Sequence, residues 1–294
     1  PLQGVRPVGD FGHGTVRQNV MAYDDREPTD TELRKMKKLV DEAMRDGAYG
    51  MSTGLIYPPS VYGKTPEIIE LAKVVSKHDG IYASHIRGEE DYSLLPAVNE
   101  AIEIGETAGC PVQIAHFKAS GKKAWGMVTK SLALVEDARA RGVDVTFDQY
   151  PYIASSTGLA AVLPHWAHEG GPEKMMERLR DPATRKRLWK EQRIDRDWDG
   201  VLVVFAKNNP QYNGKTIAEI AKEQGKKPQE AAYDLLIAEN TGHVKAVEAT
   251  ARQDERPRGT IRSLPPLPRQ TRKPSPRLTS AAFSPASSET RRPA

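Results

Sequence analysis

Two short apolar runs that each end near a histidine constrain the fold of this 294-residue chain more than any other feature. They span residues 81–87, which contain His85, and 111–118, which contain His116. Short runs rich in β-branched and aromatic residues that follow a glycine are typical of buried strands. Residues 94–108, between the two runs, carry apolar side chains at the spacing of one helix face. A strand, a helix and a second strand form a right-handed crossover, so we predict two parallel strands in one sheet.

The position of each histidine at the end of its strand predicts a shared metal site. The carboxyl ends of parallel strands meet at one edge of the sheet, and in a β/α barrel this edge carries the chemistry. Neighbouring strands lie about 5 Å apart, so both imidazoles can reach one ion at about 2 Å each. We therefore predict that His85 and His116 bind one metal ion. Cys110 is excluded as a further ligand because about 20 Å of strand separates it from His116.

The same alternation of strands and helices continues on both sides of the histidine strands. Residues 4–17 are predicted to form a strand that runs into a glycine-rich turn around His13. The other predicted strands cover residues 48–56, 81–87, 111–118 and 143–150, and the predicted helices cover 30–46, 66–77, 94–108 and 128–140. This order predicts an α/β fold with a parallel sheet. Five strands are too few to close an eight-stranded TIM-like barrel, so we expect a partial (β/α)8 barrel over residues 1–159.

Two regions after residue 159 have a different character. Residues 160–249 contain two helical pieces, 172–192 and 216–239, around a strand-like segment at 200–206, and we expect an inserted α/β lid subdomain. Residues 250–294 are rich in Arg, Pro and Ser, which predicts a disordered tail or an aberrant, frame-shifted end.

The charge and composition restrict the class of protein. The net charge of +4 comes from the tail, because residues 252–294 hold nine Arg and one Lys against three carboxylates, so residues 1–251 carry a net charge of −3. A mildly acidic body does not favour nucleic-acid binding. We see no membrane-spanning apolar run and no signal-peptide pattern at Pro1. The single cysteine is typical of a reducing compartment, so we expect a cytoplasmic protein with a small-molecule substrate.

Five motifs occur in one order over residues 4–247. They are Gly12–Arg17, Ser52–Pro59, Ser84–Arg87, Ala115–Lys118, and Tyr150–Tyr152 with Ser156–Thr157. Together they resemble the N-acyl-D-amino-acid deacylases (D-aminoacylases) of the amidohydrolase superfamily. The resemblance implies a distorted β/α barrel and zinc-dependent hydrolysis of N-acyl-D-amino acids to a D-amino acid and a carboxylic acid. It also implies that zinc is held by an early-strand cysteine and by the histidines that match His85 and His116.

The sequence departs from the family pattern at both ends of the barrel. The early metal cysteine, a His-x-His pair and the last-strand aspartate that acts as general base have no counterpart here. We therefore expect a fragment that lacks the first and last barrel strands, and we identify no catalytic base. An inactive, incomplete fragment remains an alternative. A dihydroorotase- or hydantoinase-like enzyme is a second alternative, disfavoured because the strand at 48–56 lacks the lysine that those enzymes carboxylate.

Several polar residues near the histidines are candidates for binding the substrate. Arg87 and Lys118 each follow a histidine by two positions and share its face of the strand, so either can bind a carboxylate or form a salt bridge at the barrel rim. Tyr57 and Tyr150 lie at strand ends, where a phenol can bond a carboxylate or oxyanion or pack as an aromatic ring. By the resemblance, Ser156 lines the pocket for the substrate side chain.

Two further polar residues are predicted to be structural. His13 lies in a glycine-flanked stretch that predicts a turn, where we expect it to pack against the core. Asp148 precedes Tyr150 by two positions, and we expect it to form a structural hydrogen bond. The sequence leaves the oligomeric state, the preferred D-amino acid and the acyl group open.

Overall fold

The computed structural model describes residues 10–191, 197–240 and 245–249 of the chain. The first part of this region alternates strands and helices: β1 (Phe11–Gly12), α1 (His13–Met21), α2 (Asp30–Arg45), β2 (Gly50–Gly54), α3 (Thr65–Lys77), β3 (Ile81–His85), α4 (Leu94–Ala108), β4 (Val112–Ile114), α5 (Val128–Ala140) and β5 (Val145–Phe147). The five strands form one sheet in the order β1-β2-β3-β4-β5, and every neighbouring pair is parallel. The predicted α/β fold with a parallel sheet is confirmed.

The helices of this region begin and end at signals that the sequence carries. Thr29 caps α2, since its side chain accepts from the backbone N–H of Glu32 while the Glu32 carboxylate accepts from the backbone N–H of Thr29. Helix α4 ends at Gly109, whose φ of 70° is the left-handed conformation that glycine adopts readily. The ranges predicted for α4 and α5 match the structure to the residue.

The turn predicted around His13 is wrong, because residues 13–21 form helix α1. Gly12 is extended at the residue before the helix, where a glycine is well tolerated. Gly14 lies in the first turn and packs against Ser60, whose Cβ would be 3.6 Å from an added Cβ. In the sequence, two glycines near the start of a helix therefore resemble a turn. A glycine destabilises a helix by about 1 kcal/mol relative to alanine only when it lies in the middle of the helix, so glycines at the start are tolerated.

The helices cover one face of the parallel sheet and leave His85 on the other. Tyr82 pairs in register with Met51 and with Val112, and all three side chains are buried. Helix α4 packs closely on this face, since a Cβ added to Gly105 would lie 2.0 Å from Val112 Cγ2. Successive strand residues point to opposite faces, so His85, three positions beyond Tyr82, lies on the face away from α4.

The second part of the described chain contains a small antiparallel sheet and four helices. Its elements are β6 (Ala154–Gly158), α6 (Pro172–Arg180), α7 (Pro182–Lys190), β7 (Val201–Phe205), α8 (Ile217–Gln224), α9 (Pro228–Ala238) and β8 (Lys245–Ala249). The strand order is β6-β8-β7, and both pairs are antiparallel. These elements enclose an apolar core of their own, with Leu159, Leu179 and Leu236 fully buried. None of the helices in the described ranges is long and apolar enough to cross a lipid bilayer.

Each of the two helical pieces predicted after residue 160 is divided in two. Asp181 ends α6 and caps α7, accepting from the backbone N–H of Thr184 at 2.7 Å, and Pro182 opens the second helix. Gly225, in the left-handed conformation, ends α8 before Pro228 opens α9. The strand predicted at 200–206 is observed as β7, whereas β6 and β8 were not predicted. The division into domains at residues 159 and 249 stays a prediction, and the predicted tail at 250–294 lies outside the described residues.

Candidate metal centre

The two histidine side chains lie against each other at the carboxyl edge of the parallel sheet. His85 is the last residue of β3, and His116 follows the end of β4 by two residues. Nδ1 of His85 is 2.6 Å from Nε2 of His116, and the ring centroids are 4.5 Å apart at an interplanar angle of 64°. The structure therefore brings together the two residues that the sequence predicts as metal ligands.

A strained backbone directs His116 towards its partner. Its φ of +41° is uncommon for a residue with a side chain and costs about 1–3 kcal/mol. Asp148 stabilises this conformation, since its Oδ1 accepts from the backbone N–H of His116 at 2.8 Å and its carbonyl accepts from the backbone N–H of Phe117 at 2.8 Å. Oδ2 of Asp148 accepts from Gln113 at 2.9 Å. Asp148 thus has the structural hydrogen bond predicted for it, and it fixes the turn that carries His116.

A carboxylate that the sequence analysis missed lies behind the histidine pair. Oε1 of Glu89 accepts from Nζ of Lys118 at 2.5 Å and lies 3.2 Å from Nδ1 of His116. Oε2 accepts from the Ser120 hydroxyl at 2.9 Å. Burial alone would raise the pKa of Glu89, but the hydrogen bond with His116 and the charge of Lys118 lower it below 4.5. The signal that the sequence offered was its place, since Glu89 follows the end of a histidine strand by four residues.

The electrostatics of the site favour the neutral form of His85. Burial, followed by the nearby charges of His116 and Lys118, lowers the pKa of His85 below 6.5. A neutral imidazole has a free lone pair on one nitrogen and is the form that binds metal ions.

The donor set fits part of a zinc site. No group of three or more His, Cys, Asp or Glu side chains that could hold a metal ion occurs among the described residues. His85 and His116 are suitable as two ligands, although nitrogens that share a tetrahedral zinc at 2.0–2.1 Å lie about 3.3 Å apart. Binding therefore requires the two rings to separate by about 0.7 Å from their present 2.6 Å. Cys110 is buried, and burial raises the pKa of its thiol to about 11, so it stays protonated.

Lys118 and Tyr150 lie beside the histidines. Nζ of Lys118 is 5.6 Å from the centroid of the Tyr150 ring, and the rings of Tyr150 and His116 have centroids 6.5 Å apart. The Tyr150 hydroxyl is buried without a hydrogen-bond partner in good geometry, with Ser155 beside it. Burial, followed by the charge of Glu89, raises the pKa of Tyr150 to about 12, so the phenol stays protonated and can donate.

Arg87 turns away from the histidines and towards the rim of the sheet. Its Nε donates to Glu100 at 2.8 Å, and its two terminal nitrogens donate to the carbonyls of Val61 and Gly63 at 2.9 and 2.8 Å. The structure therefore favours the second of the two interpretations left open for Arg87, the salt bridge at the barrel rim.

Tyr57 and Ser156 lie where the parallel sheet meets the small antiparallel sheet. The Tyr57 hydroxyl is 2.8 Å from Oγ1 of Thr157, which follows the exposed Ser156 on β6. Tyr57 is itself 40% exposed. The contact connects the loop after β2 to β6. The substrate-binding roles of Tyr57 and Ser156 stay predictions.

Comparison with known proteins shows what the chain is similar to. No protein-family model matches it. A crystal structure of D-aminoacylase aligns with a TM-score of 0.62 and 32% identity, covering 83% of this chain and 43% of that chain. D-aminoacylase from Alcaligenes xylosoxydans xylosoxydans is 34% identical over 227 residues, which are 77% of this chain and 40% of that protein. The curated proteins and solved structures that the chain resembles are D-aminoacylases and other N-acyl-D-amino-acid deacylases.

A second solved deacylase extends the comparison. The N-acyl-D-glutamate deacylase from Bordetella bronchiseptica, complexed with zinc and a phosphonate inhibitor that mimics the tetrahedral intermediate, aligns with a TM-score of 0.65 and 28% identity. That alignment covers 83% of this chain and 43% of that chain. The present chain thus spans about 40% of the length of these relatives.

A buried ionic cluster supports the loop after β2. His13 lies 2.7 Å from the hydroxyl of Ser60 through Nδ1 and 2.9 Å from Glu67 through Nε2. Arg17 forms an ion pair with the second oxygen of Glu67. Gly63 is required here, because a Cβ would lie 2.7 Å from Cε1 of His13. His13 therefore has the structural role predicted for it, and the loop that it supports carries both of the carbonyls bound by Arg87.

Proposed function

We propose that this chain takes part in the hydrolysis of the amide bond of N-acyl-D-amino acids, which yields a D-amino acid and a carboxylic acid. The observation that carries the proposal is the approach of Nδ1 of His85 and Nε2 of His116 to 2.6 Å beside the ammonium group of Lys118. The similarity to D-aminoacylases supports the same reaction. The proposed substrate is a small molecule, and the single cysteine supports a cytoplasmic location.

His85 and His116 are the proposed zinc ligands. Held by these residues, a zinc ion would polarise the amide carbonyl and lower the pKa of a water molecule beside it to about 7. The lowered pKa of His85 keeps its lone pair available near neutral pH. The hydrogen bonds of Asp148 hold the backbone that carries His116, so the two nitrogens stay directed at one point.

Lys118 and Tyr150 are the proposed partners of the substrate carboxylate. Lys118 supplies a positive charge close to His116, and Tyr150 supplies a buried hydroxyl that is free to donate. A carboxylate fixed by these groups places the neighbouring amide near the histidines, and such positioning accounts for a large part of enzymatic rate enhancement. Tyr57 and Ser156 are proposed to border the pocket for the substrate side chain, whereas Arg87 is occupied by Glu100.

A catalytically incomplete chain is the second candidate. A catalytic zinc normally takes three protein ligands and one water molecule. The absence of a three-ligand group from the described residues favours this candidate.

Hydrolysis and metal content distinguish the two candidates. The purified chain, dialysed against Zn²⁺, is assayed with the D and L enantiomers of N-acetyl amino acids that have neutral and acidic side chains. The proposal predicts D-selective release of acetate that a chelator abolishes, and His116→Ala is the matched inactive variant. Zinc well below one equivalent per chain, together with no hydrolysis, supports the incomplete chain. Hydrolysis that prefers L substrates or persists in chelator contradicts the proposal.

A further inference from the structure

Glu89 lies against the metal centre without a place in the proposed reaction. We propose that Glu89 is a positioning residue: its carboxylate accepts the Nδ1–H of His116 and so leaves the lone pair of His116 on Nε2, the atom that faces His85. The proposal deepens the proposed zinc site, but the tautomer of His116 can be measured without any metal.

The two nitrogens of His116 face different partners. Nε2 is 2.6 Å from Nδ1 of His85, whereas Nδ1 lies 2.9 Å from Nζ of Lys118 and 3.2 Å from Oε1 of Glu89. A neutral imidazole carries one N–H and one lone pair. An ammonium group only donates and a carboxylate only accepts, so Lys118 and Glu89 favour opposite tautomers of His116.

The tautomer of His116 that Lys118 favours would place the proton on Nε2, the nitrogen that has to bind the metal ion. If Nδ1 of His116 accepted from Lys118, the N–H of the ring would sit on Nε2 and point at His85. No lone pair of His116 would then face the position between the two histidines where a metal ion would bind. If Nδ1 instead donates to Glu89, Nε2 carries the lone pair. A metal-binding His116 therefore requires the tautomer that Glu89 favours.

The contacts around Lys118 and Glu89 favour this second tautomer. The Lys118 ammonium has two other acceptors, Oε1 of Glu89 at 2.5 Å and the carbonyl of His116 at 3.3 Å. Glu89 is anchored at its other oxygen by the hydroxyl of Ser120, and its carbonyl accepts from the backbone N–H of Ser120 at 2.8 Å. The carboxylate is only 15% exposed, so water competes weakly for the imidazole N–H.

The loop that holds Glu89 depends on the residue before it. A Cβ added to Gly88 would lie 2.3 Å from the hydroxyl of Ser93, so this position tolerates only glycine at the present backbone separation. The Ser93 hydroxyl also accepts from the backbone N–H of Glu90 at 3.1 Å. The backbone on both sides of Glu89 is therefore fixed, as a positioning residue requires.

The tautomer of His116 is the first test. Long-range ¹H–¹⁵N NMR of the full chain with labelled histidine, in metal-free buffer at neutral pH, distinguishes Nδ1–H from Nε2–H, and His116→Gln assigns the signals. We expect Nδ1–H in the native chain and in Glu89→Gln, which keeps an acceptor oxygen, but a shift to Nε2–H in Glu89→Ala. Glu103→Gln, at an exposed position on α4, is the control and leaves the tautomer unchanged.

Zinc affinity is the second test, measured by competition with a chromophoric chelator. Loss of a partner that orients a metal-binding histidine weakens metal affinity about 10–100-fold, so Glu89→Ala should fall in this range while Glu103→Gln binds like the native chain. An Nε2–H tautomer of His116 in the native chain overturns the proposal, and this result does not depend on whether Glu89→Ala folds. A folded Glu89→Ala variant in which the tautomer of His116 is unchanged also overturns it. A native chain with the Nδ1–H tautomer that binds no zinc refutes the proposed function and leaves the role of Glu89 supported.

Discussion

Replacing Glu67 with glutamine should be among the most destabilising single changes in the chain. The side chains of His13 and Arg17 are fully buried, and that of Glu67 is 3% exposed. Glutamine preserves the shape of the glutamate but removes its charge. The guanidinium of Arg17 then keeps only neutral acceptors, including the carbonyls of Asp24 and Arg26.

The magnitude follows from the burial of the pair. Burial opposes ionisation of Glu67, yet the contacts with His13 and Arg17 lower its pKa, so the folded protein stabilises the carboxylate form. Removing one partner of a buried ion pair costs about 3–5 kcal/mol, because the other charge stays buried without compensation. In a domain of 150–250 residues each kcal/mol lowers Tm by about 2–4 °C, so Tm should fall by about 6–20 °C.

Thermal unfolding followed by circular dichroism measures this effect, and the same helix supplies the control. Glu70 lies one turn beyond Glu67 on α3, but it is 32% exposed and pairs with Lys37 and Lys73. Exposed ion pairs contribute about 0–1 kcal/mol each, so Glu70→Gln, which loses two of them, should lower Tm by less than about 8 °C and by less than Glu67→Gln does.

Two results would refute this reasoning about the buried cluster. The first is an equal loss of Tm in Glu67→Gln and Glu70→Gln. The second comes from the double variant Arg17→Met, Glu67→Gln, which removes both charges and should be more stable than Glu67→Gln alone. If the double variant is less stable, the uncompensated charge of Arg17 is not the cause of the loss.

Three further predictions concern the site, the second core and the packing of α4. Asp148→Ala removes the acceptor for the backbone N–H of His116, so zinc affinity measured by chelator competition should fall at least tenfold, whereas Asp148→Asn keeps an acceptor oxygen and should bind nearly as tightly. Burial lowers the pKa of His168 from 6.5 to about 4, so the unfolded chain binds more protons between these values. Stability should therefore fall by up to about 3 kcal/mol as the pH drops from 6.5 to 4 in urea titrations, and His168→Asn should reduce that fall. Gly105→Ala should destabilise the chain by about 1–3 kcal/mol in urea through its clash with Val112; a gain in stability would show that helix propensity outweighs the clash.

The parallel sheet and its histidine edge could be predicted because their signals are local. The apolar runs around His85 and His116 and the helix between them are each visible within fifteen residues. The chirality of the crossover then places both strands in one sheet. Local signals of this kind also located the ends of α4 and α5.

The second sheet could not be predicted, because its pairing is not local. β6 has the sequence Ala-Ser-Ser-Thr-Gly, without alternation of apolar and polar residues, and it pairs with β8, some ninety residues later. Strands without a buried face carry little periodic signal, and their partners are set by tertiary contacts.

Glu89 escaped prediction for a related reason. It lies in the loop after β3, and no periodic pattern specifies where a loop side chain points. Its position depends on Gly88, on Ser120 and on the charge of Lys118, and these contacts form only in the folded chain.

The shared metal ion is the central claim, and pulsed EPR of the chain with one equivalent of Cu²⁺ tests it most directly. Coordinated imidazoles give ¹⁴N modulations, and combination lines indicate two imidazoles on one ion. The structure predicts two in the native chain and one in each of His85→Gln and His116→Gln. A native spectrum with a single imidazole, or one that neither substitution changes, would contradict a site built from these two histidines.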